Sequence, residues 1–562
     1  MKIQQVVCID CGAHADYHPA LLECPACGST WLEARYNLST FSSRLLEELP
    51  ARPFNLWRYA ELLPVPALPP SLQLGEGGTP LLHAGKLGSM LGLPHLYFKD
   101  ERKNATASFK DRQAAVNVAA FLHYNIDRAV VASTGNVAIS YSAYCARAGI
   151  NLWAFITSLV PAIKMHEIAL YGTRIVKVTG TYDQAKTLAA EFARERNLFI
   201  DRGPRNVATI ESMKTIAFEI AEQLGIFHEP VAGFPFQAPD WYIQAVSGGM
   251  GPIGVLKGFQ ELLAMGWIDR LPAIACIQTD GCSPMVQAWK QNAPEAVVVE
   301  RPHTHISTLT TGNPGRSYAI LRERMDAAAG GVMESVSDEE AFRAMVMLAR
   351  TEGLSVEPAA AVAFAGTIKL AQGGVLKPED RIVINCSGHT VPIEHRQIPA
   401  GWSLDIDLSK PALTEHPQDG LLAALTMLDE RRTREILIVD DHPDARRLIR
   451  RILLTQGKYA IREAGSGPEA LAEALRNPPD LILLDIMMPE MDGFTVIDHL
   501  KENPATASIP IIVITAKSLS AQERRVLEGQ IARFMTKGDL LDEDLLSEVE
   551  RSIQLEDPRH ED

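Results

Sequence analysis

Apolar residues along this chain fall into two separate series of strand-like and helix-like segments. From about residue 70 to 395, short apolar runs alternate with longer segments. The runs include AVVAST (129–134), NLWAFIT, RIVKVTG, WYIQAVSGG, AIACIQTD and RIVINCSG. The longer segments, ESMKTIAFEIAEQLG and DEEAFRAMVMLARTEG among them, space their apolar residues as a helix does. Alternating strands and helices require crossover connections, so the pattern predicts an α/β region with mostly parallel strands. From residue 401 to about 433 the alternation stops, and prolines and charges collect in SKPALTEHPQDG. This stretch predicts a linker, with a short helix at LLAALTMLDERR. A second series then opens with EILIVDD and continues through YAIREA, LILLD, IPIIVIT and IARFMTK. Its length is that of one compact domain. The first 33 residues lack apolar periodicity and are punctuated by cysteine. The predicted division is therefore 1–33, 34–400, 401–433 as linker, and 434–554.

Bulk composition narrows the function classes. Hydrophobic residues make up 46% and charged residues 22% of the 562, ordinary for a soluble globular chain. A net charge of −15 argues against a nucleic-acid or anionic-membrane partner. No apolar run reaches the length of a membrane-spanning helix, and MKIQQVVCIDCG lacks the basic start and apolar stretch of a signal peptide. A cytoplasmic protein is the expectation.

Four of the eight cysteines cluster at the start, and Cys145, Cys276, Cys282 and Cys386 are scattered as small buried residues would be. VCIDCG and ECPACG give two Cys-x-x-Cys turns separated by twelve residues, each followed by glycine. Thiolates of Cys8, Cys11, Cys24 and Cys27 predict a tetrahedral structural zinc site, a small zinc ribbon. Four protein ligands leave no open position for catalysis. His14 and His18, between the pairs, read as solvated loop residues.

The central region carries a lysine in suggestive company. KDERKNATASFKDR (99–112) places Lys110 at the start of the helix DRQAAVNVAAFL, with Ser108 as its predicted N-cap. One lysine is ordinarily a solvated charge. Here three loops follow strand-like runs: STGN (133–136), VSGGMG (246–251) and NCSGHT (385–390). Glycines at the start of a helix let backbone N–H groups approach an anion, and the helix dipole adds a favourable field. Strand C-termini are where open α/β sheets bind ligands.

GEGGTPLL, LYFKDERKNATASFKDR, ASTGNVAISYSAYCARAGI, TGNPGRSYAIL, SVSDEEAFRAM and EPAAAVAFAG together resemble threonine synthase, over roughly residues 70 to 392. The resemblance implies a fold-type II pyridoxal phosphate (PLP) enzyme of the tryptophan synthase β-like kind, with two α/β subdomains. A zinc ribbon also precedes this domain in threonine synthases and close relatives. Carried over, Lys110 bonds to the cofactor and moves protons at the substrate carbons. Phe109 packs beside the cofactor, Asn136 hydrogen-bonds its ring oxygen, and Ser387 faces the pyridine nitrogen. Ser247, Gly248, Gly249, Met250 and Gly251 cradle its phosphate. The implied reaction converts O-phosphohomoserine and water to threonine and phosphate, with Lys164 as the leading substrate-phosphate ligand and Ser133, Thr134 and Lys214 behind it. Fold-type II enzymes are commonly dimers, so a homodimer is implied.

The chain departs from the family pattern at several places. Ala105, Thr106 and Ala107 replace a Pro-Thr-Gly run, Gln113 a glycine, and Ser212 the glycine before Met213 and Lys214. Gly248, Met250 and Gly251 stand where the phosphate loop usually carries asparagines. Thr390, Val391, Pro392 and Ile393 replace Gly-Leu-Lys-Asp after Gly388 and His389. A cysteate-synthase-like replacement, an amino-acid ammonia-lyase, or a non-catalytic amino-acid-sensing protein therefore stay open.

In the second series, four strand-like runs end in chemistry: Asp440 and Asp441, Asp485, Thr515, and Lys537. In a parallel doubly wound sheet these ends share one edge. Three carboxylates there call for a cation, and Mg²⁺ suits an all-oxygen set. LILLDIMMPEMDG, with those residues in order, closely resembles a response-regulator receiver, a flavodoxin-like (βα)5 domain, over about 434–554. The resemblance implies Asp485 as phosphoacceptor and Mg²⁺ on Asp440, Asp441, Asp485 and the Met487 carbonyl. Thr515, Lys537 and Phe534 would be the switch residues, and a sensor histidine kinase or phosphotransfer protein the partner. Gly538 stands where proline commonly follows the lysine. No helix-turn-helix is expected after this domain, so the expected output is the PLP region upstream.

Overall fold

Runs that are apolar at every position can be satisfied only between two layers, and the central sheets are built that way. The computed structural model describes residues 5–389 apart from 134, 159, 161, 229, 230 and 232, and residues 403–407, 434–454, 459–515, 527, 529, 531–536 and 542–554. The chain divides into two units, Met1–Leu413 and Thr414–Asp562.

The first unit holds three sheets. A small antiparallel one is ordered His14–Ala15, Gln5–Cys8, Leu32–Arg35. A six-stranded sheet runs Gly331–Val336, Ala273–Thr279, Trp241–Ala245, Ile382–Cys386, Leu96–Asp100, Leu81–His83. All its pairings are parallel except the last, Leu81–His83 against Leu96–Asp100. A five-stranded parallel sheet runs Ser403–Asp407, Arg174–Thr179, Asn151–Thr157, Arg128–Ser133, Phe199–Asp201.

Successive strand side chains point to opposite faces, and the packing follows that period. In the six-stranded sheet Tyr242, Ile274, Cys276 and Val383 meet Ile216, Leu224, Leu256 and Phe259 on one side. Ile243, Ala275, Ile277, Ile382 and Ile384 meet Leu348, Ala360 and Phe364 on the other. Each fully buried aliphatic side chain contributes about 1.5–3 kcal/mol relative to exposure. The Val207–Phe227 helix is buried along most of its length, including Glu211, Lys214 and Glu219. Two helices start on the capping boxes their sequences spell, Thr181 with Gln184 and Ser337 with Glu340.

The second unit is one parallel sheet ordered Tyr459–Ala464, Arg434–Val439, Leu481–Leu484, Ile511–Thr515, Arg533–Thr536. The first two strands are exchanged in space, the doubly wound order whose switch point lies beside the first strand. Leu437, Val439, Ile482, Leu484 and Val513 pack on one face, and Ile436, Ile438, Leu481, Leu483 and Ile514 on the other.

Two sequence expectations change. Residues 403–407, expected in the linker, add a parallel edge strand to the five-stranded sheet. The division between units, at 413/414, falls inside the predicted 401–433 linker. The Lys110–His123 helix has Phe109 rather than Ser108 at its N-cap position, although Ser108 Oγ still accepts from Lys110 N at 3.4 Å. The helix expected at LLAALTMLDERR lies outside the described residues.

Candidate active site and receiver site

Lys110 is the first residue of its helix, and the segment before it is fastened to the loop after Ile382–Cys386. Phe109 N donates to Ser387 O at 3.0 Å, His389 N to Ala107 O at 2.9 Å, and Ser108 bridges Gly388. Lys110 and Ser387, distant in sequence, therefore share one strip of backbone. Ala107 takes φ +58°, a left-handed conformation that explains the glycine usual at this position and costs alanine about 1 kcal/mol. Lys110 Nζ lies 4.1 Å from the Phe109 ring centroid. Burial lowers the Lys110 amine to about 8, against the opposing pull of the Asp201 and Glu357 carboxylates. A lysine in that range has a neutral, nucleophilic fraction near neutral pH.

Around it stands a closed triangle of polar groups. Asn136 Nδ2 donates to Glu357 Oε1 at 2.7 Å, and Lys164 Nζ reaches Asn136 Oδ1 at 2.7 Å and Glu357 Oε2 at 2.8 Å. Glu357 comes from the start of the Pro358–Gln372 helix, and its N–H bonds to Gly388 O at 3.2 Å. A side chain at Gly388 would stand 2.9 Å from Glu357 Oε1, so this glycine admits the acid. Burial also raises Asp201, which accepts from Tyr141 Oη and from Gln113 Nε2 at 2.6 Å. Asp111, next to Lys110, is pushed up by burial to about 6, and Glu167, one turn after Lys164, to about 7.

The glycine loop joins Trp241–Ala245 to the Met250–Ala264 helix. Gly249 occupies its N-cap with φ +79°, where an added Cβ would lie 2.8 Å from Met285 Cε. At Gly251 the same atom would lie 2.4 Å from Gln244 Nε2. Ser247 Oγ is 2.6 Å from Thr311 Oγ1. Gly249 and Gly251 thus admit no side chain where the Met250 and Gly251 N–H groups at the start of a 15-residue helix lack intrahelical partners. A buried lysine, the Asn136 amide, the buried Ser387 hydroxyl and this anion-ready loop form a donor set that fits PLP. Lys110, Asn136, Ser387 and 247–251 are the residues that would hold it, and the cofactor would supply the electron sink.

Two expected substrate ligands are otherwise engaged. Ser133 Oγ accepts from Gly135 N at 3.0 Å and Ala138 N at 3.2 Å, capping the Asn136–Ala148 helix. Lys214 is fully buried, 2.6 Å from Glu211 Oε2 and 2.8 Å from Glu261 Oε2, so it is a core ion pair and not a surface ligand. Thr134 lies outside the described residues. Glu357 and Asp201 carried no assignment from sequence. Glu357 stood in plain view in EPAAAVAFAG, an acid directly before the proline that opens a helix. Asp201 ends a strand of three residues, too short to announce itself.

At the N-terminus, Cys8 Sγ lies 3.6 Å from Cys27 Sγ, and Cys11 Sγ 3.7 Å from Cys24 Sγ. All four sulfurs fall within 4.8 Å of one another. A tetrahedron with Zn–S near 2.3 Å has sulfurs about 3.8 Å apart, so the set fits zinc. Each turn closes identically, Gly12 N to Cys8 O and Gly28 N to Cys24 O, with φ +71° and +72° at the glycines.

In the second unit, ligand atoms of Asp440, Asp441 and His442 lie within 4.8 Å of one another. Asp485 is on the adjoining strand end, its N–H bonded to Val439 O at 2.8 Å, and its Oδ1 accepts from Met487 N at 3.0 Å. The carboxylates suit a hard cation. Gly493 is required because a Cβ there would stand 2.6 Å from Asp485 O, and Asp492 caps the following helix. Thr515 is buried at the next strand end, in register with Thr536, and Phe534 is half-buried. Lys537, one residue beyond Thr536, lies outside the described residues.

No helix among the described residues is long and apolar enough to cross a membrane. Residues 72–388 match the family of pyridoxal-phosphate dependent enzymes, and 436–550 match the response regulator receiver domain. The chain is 35% identical over 386 residues to a threonine synthase of Methanocaldococcus jannaschii, covering 68% of this chain and 91% of that one. It is 33% identical over 383 residues to one of Methanosarcina acetivorans, covering 68% and 90%. Among solved structures it is similar to maize serine racemase, at 20% identity and a TM-score of 0.48, covering 56% of this chain and 89% of that one. The lysine whose amine burial lowers to about 8 is thus met by a family match over the same residues, and the chain belongs to the pyridoxal-phosphate dependent enzymes, as a lyase that also carries a response regulator receiver domain.

Proposed function

We propose that the protein is a threonine-synthase-like lyase acting on O-phosphohomoserine, with turnover governed by phosphorylation of its receiver. The observation that carries this reading is the 35% identity to a threonine synthase over 91% of that protein's length. The site chemistry supports it. Lys110, with its amine lowered to about 8, can take and return protons at the substrate carbons. Asn136 and Ser387 orient the cofactor ring, while the 247–251 backbone holds its phosphate. Glu357 and Lys164 keep Asn136 in one rotamer by closing its hydrogen bonds. Zinc on Cys8, Cys11, Cys24 and Cys27 is structural in this reading. In the receiver, a histidine kinase or phosphotransfer protein supplies the phosphoryl group, Asp485 accepts it, and Mg²⁺ on Asp440 and Asp441 neutralises it.

A second reading has one observation in its favour. Lys164 and Lys214, the two lysines expected at a substrate phosphate, are both paired with carboxylates, at 2.8 Å and 2.6 Å. With Lys164 neutralised by Glu357 and Lys214 held in the core, no free cation is offered to a substrate phosphate by either, which suits an amino acid with an uncharged hydroxyl side chain and the ammonia-lyase reaction. One assay separates the readings. Purified full-length protein is given O-phosphohomoserine, serine or threonine, with and without acetyl phosphate. Phosphate and threonine released together, and abolished in Lys110→Ala, support the first. Ammonia from serine or threonine with no phosphate release from O-phosphohomoserine overturns it.

A further inference from the structure

Two of the ion pairs that fasten the cysteine ribbon to the rest of the first unit end on one helix, Ser317–Asp326, or at its N-cap. Arg316, at its N-cap position, makes a bidentate pair with Asp10, which sits between Cys8 and Cys11. Nη1 lies 2.6 Å from Oδ2 and Nη2 2.7 Å from Oδ1. Arg316 Nη1 also reaches Ser29 Oγ at 3.5 Å, beside the second cysteine turn. At the other end, Arg324 Nη2 lies 2.6 Å from Glu33 Oε1 on the Leu32–Arg35 strand. The two arginines are about two helical turns apart, so the ribbon grips the helix near both ends.

The middle of that helix backs the glycine loop. Leu321 is fully buried, and its Cδ2 lies 3.6 Å from where a Cβ on Gly249 would stand. The segment leading into the helix carries Thr311, whose Oγ1 and N lie 2.6 Å and 3.2 Å from Ser247 Oγ. A second strut reaches the helix that grows out of the loop. Lys257 Nζ donates to Ala34 O at 2.7 Å and pairs with Glu211, which also accepts from Tyr36 Oη at 2.8 Å. Ribbon residues therefore hold both the helix behind the loop and the helix that begins at it.

We infer that Asp10 and Glu33 are positioning residues for the cofactor phosphate, so that the 247–251 cradle is set by a metal-organised ribbon. Metal held by Cys8, Cys11, Cys24 and Cys27 would fix the Cys8–Cys11 turn and with it the Asp10 carboxylate. A cradle of backbone N–H groups is sensitive to small displacements, because hydrogen bonds weaken steeply with distance and angle. The Asp10–Arg316 pair is half exposed, with side chains 38% and 50% accessible, and exposed pairs add little to global stability. Its loss is therefore read at the loop and not in the folding of the whole chain. This inference rests on membership of the PLP family and not on the identity of the substrate.

The test uses full-length apo-protein reconstituted with PLP or with pyridoxal, which lacks the phosphate, followed by cofactor absorbance. In Asp10→Asn combined with Glu33→Gln, Kd for PLP rises about tenfold while Kd for pyridoxal moves less than about twofold. Chelator-treated wild type shows the same PLP-selective loss, and this arm needs no substitution that could impair folding. The exchanged pair Asp10→Arg with Arg316→Asp recovers PLP affinity. Equal weakening for PLP and pyridoxal, or no weakening in the chelated protein, overturns the inference.

Discussion

The proposed reactivity of Lys110 rests on its surroundings more than on its side chain. Burial outweighs the Asp201 and Glu357 carboxylates and brings its amine to about 8, from an ordinary value near 10.5. Bonding to an aldehyde needs the neutral form, which is then about a tenth of the population at pH 7 and about nine-tenths at pH 9. The second-order rate of PLP binding to the apo-protein should rise through pH 8 and level above pH 9, and stopped-flow absorbance reads it. A rate still climbing tenfold per unit beyond pH 9 would show an unperturbed lysine. Residue identities were legible in SFKDR and STGN because those positions are fixed by chemistry. Residue partnerships were less so. Ser133 ends a strand and precedes a helix, so its role as a cap was open to reading, yet a hydroxyl at a strand end serves a ligand equally well. Lys214 lies three residues after Glu211, a spacing that pairs them on one helix face. The third member, Glu261, comes from another helix and was invisible before packing. Gln113 likewise finds Asp201 only through the fold.

Lys110, Asn136 and Lys164 lie on helices, and one buried ion network fixes the helix of Lys110. Arg112, two residues after Lys110, lies 2.8 Å from Glu101 Oε1 and 2.6 Å from Glu219 Oε1, all fully buried. Lys99 completes the set, 2.8 Å from Glu219 Oε2. The network ties the Lys110–His123 helix to the Leu96–Asp100 strand and the Val207–Phe227 helix. Removing one partner leaves two carboxylates short of charge in a dry interior, so Arg112→Met should cost about 3–5 kcal/mol. Urea unfolding of the first unit reads that loss, and a change under 1 kcal/mol would mean the network is expendable. Elements as such were readable where their period was clean, as in NLWAFIT or the Ser337–Glu340 capping box. The Ser403–Asp407 strand was missed for a physical reason. SLDID has only two apolar positions between prolines and charges, and an edge strand needs only one neighbour to complete it.

At the scale of the whole chain, two sites of different chemistry lie in two units, and phosphate on Asp485 is the proposed link between them. The receiver sheet brings Asp440, Asp441 and Asp485 to one edge, with the buried Thr515 hydroxyl on the strand beyond. A phosphoryl group there adds nearly two negative charges to an already acidic edge, so it demands Mg²⁺ and a hydroxyl donor drawn toward it. Phe534, half-buried on the next strand, can follow the vacated space. In the proposed reading the sheet edge would then have two arrangements, which is the minimum an allosteric switch requires. The prediction has two readouts. Acetyl phosphate with Mg²⁺ should label wild type but not Asp485→Asn, as intact mass reports directly. Turnover at Lys110 should change by about fivefold or more on labelling, a coupling of about 1 kcal/mol. Thr515→Ala should still take the label while losing most of that change, because the acceptor is intact and the responding hydroxyl is gone. Equal labelling of Asp485→Asn would move the phosphoacceptor elsewhere. Labelling that leaves turnover untouched would make the receiver a passenger on the enzyme and not its control.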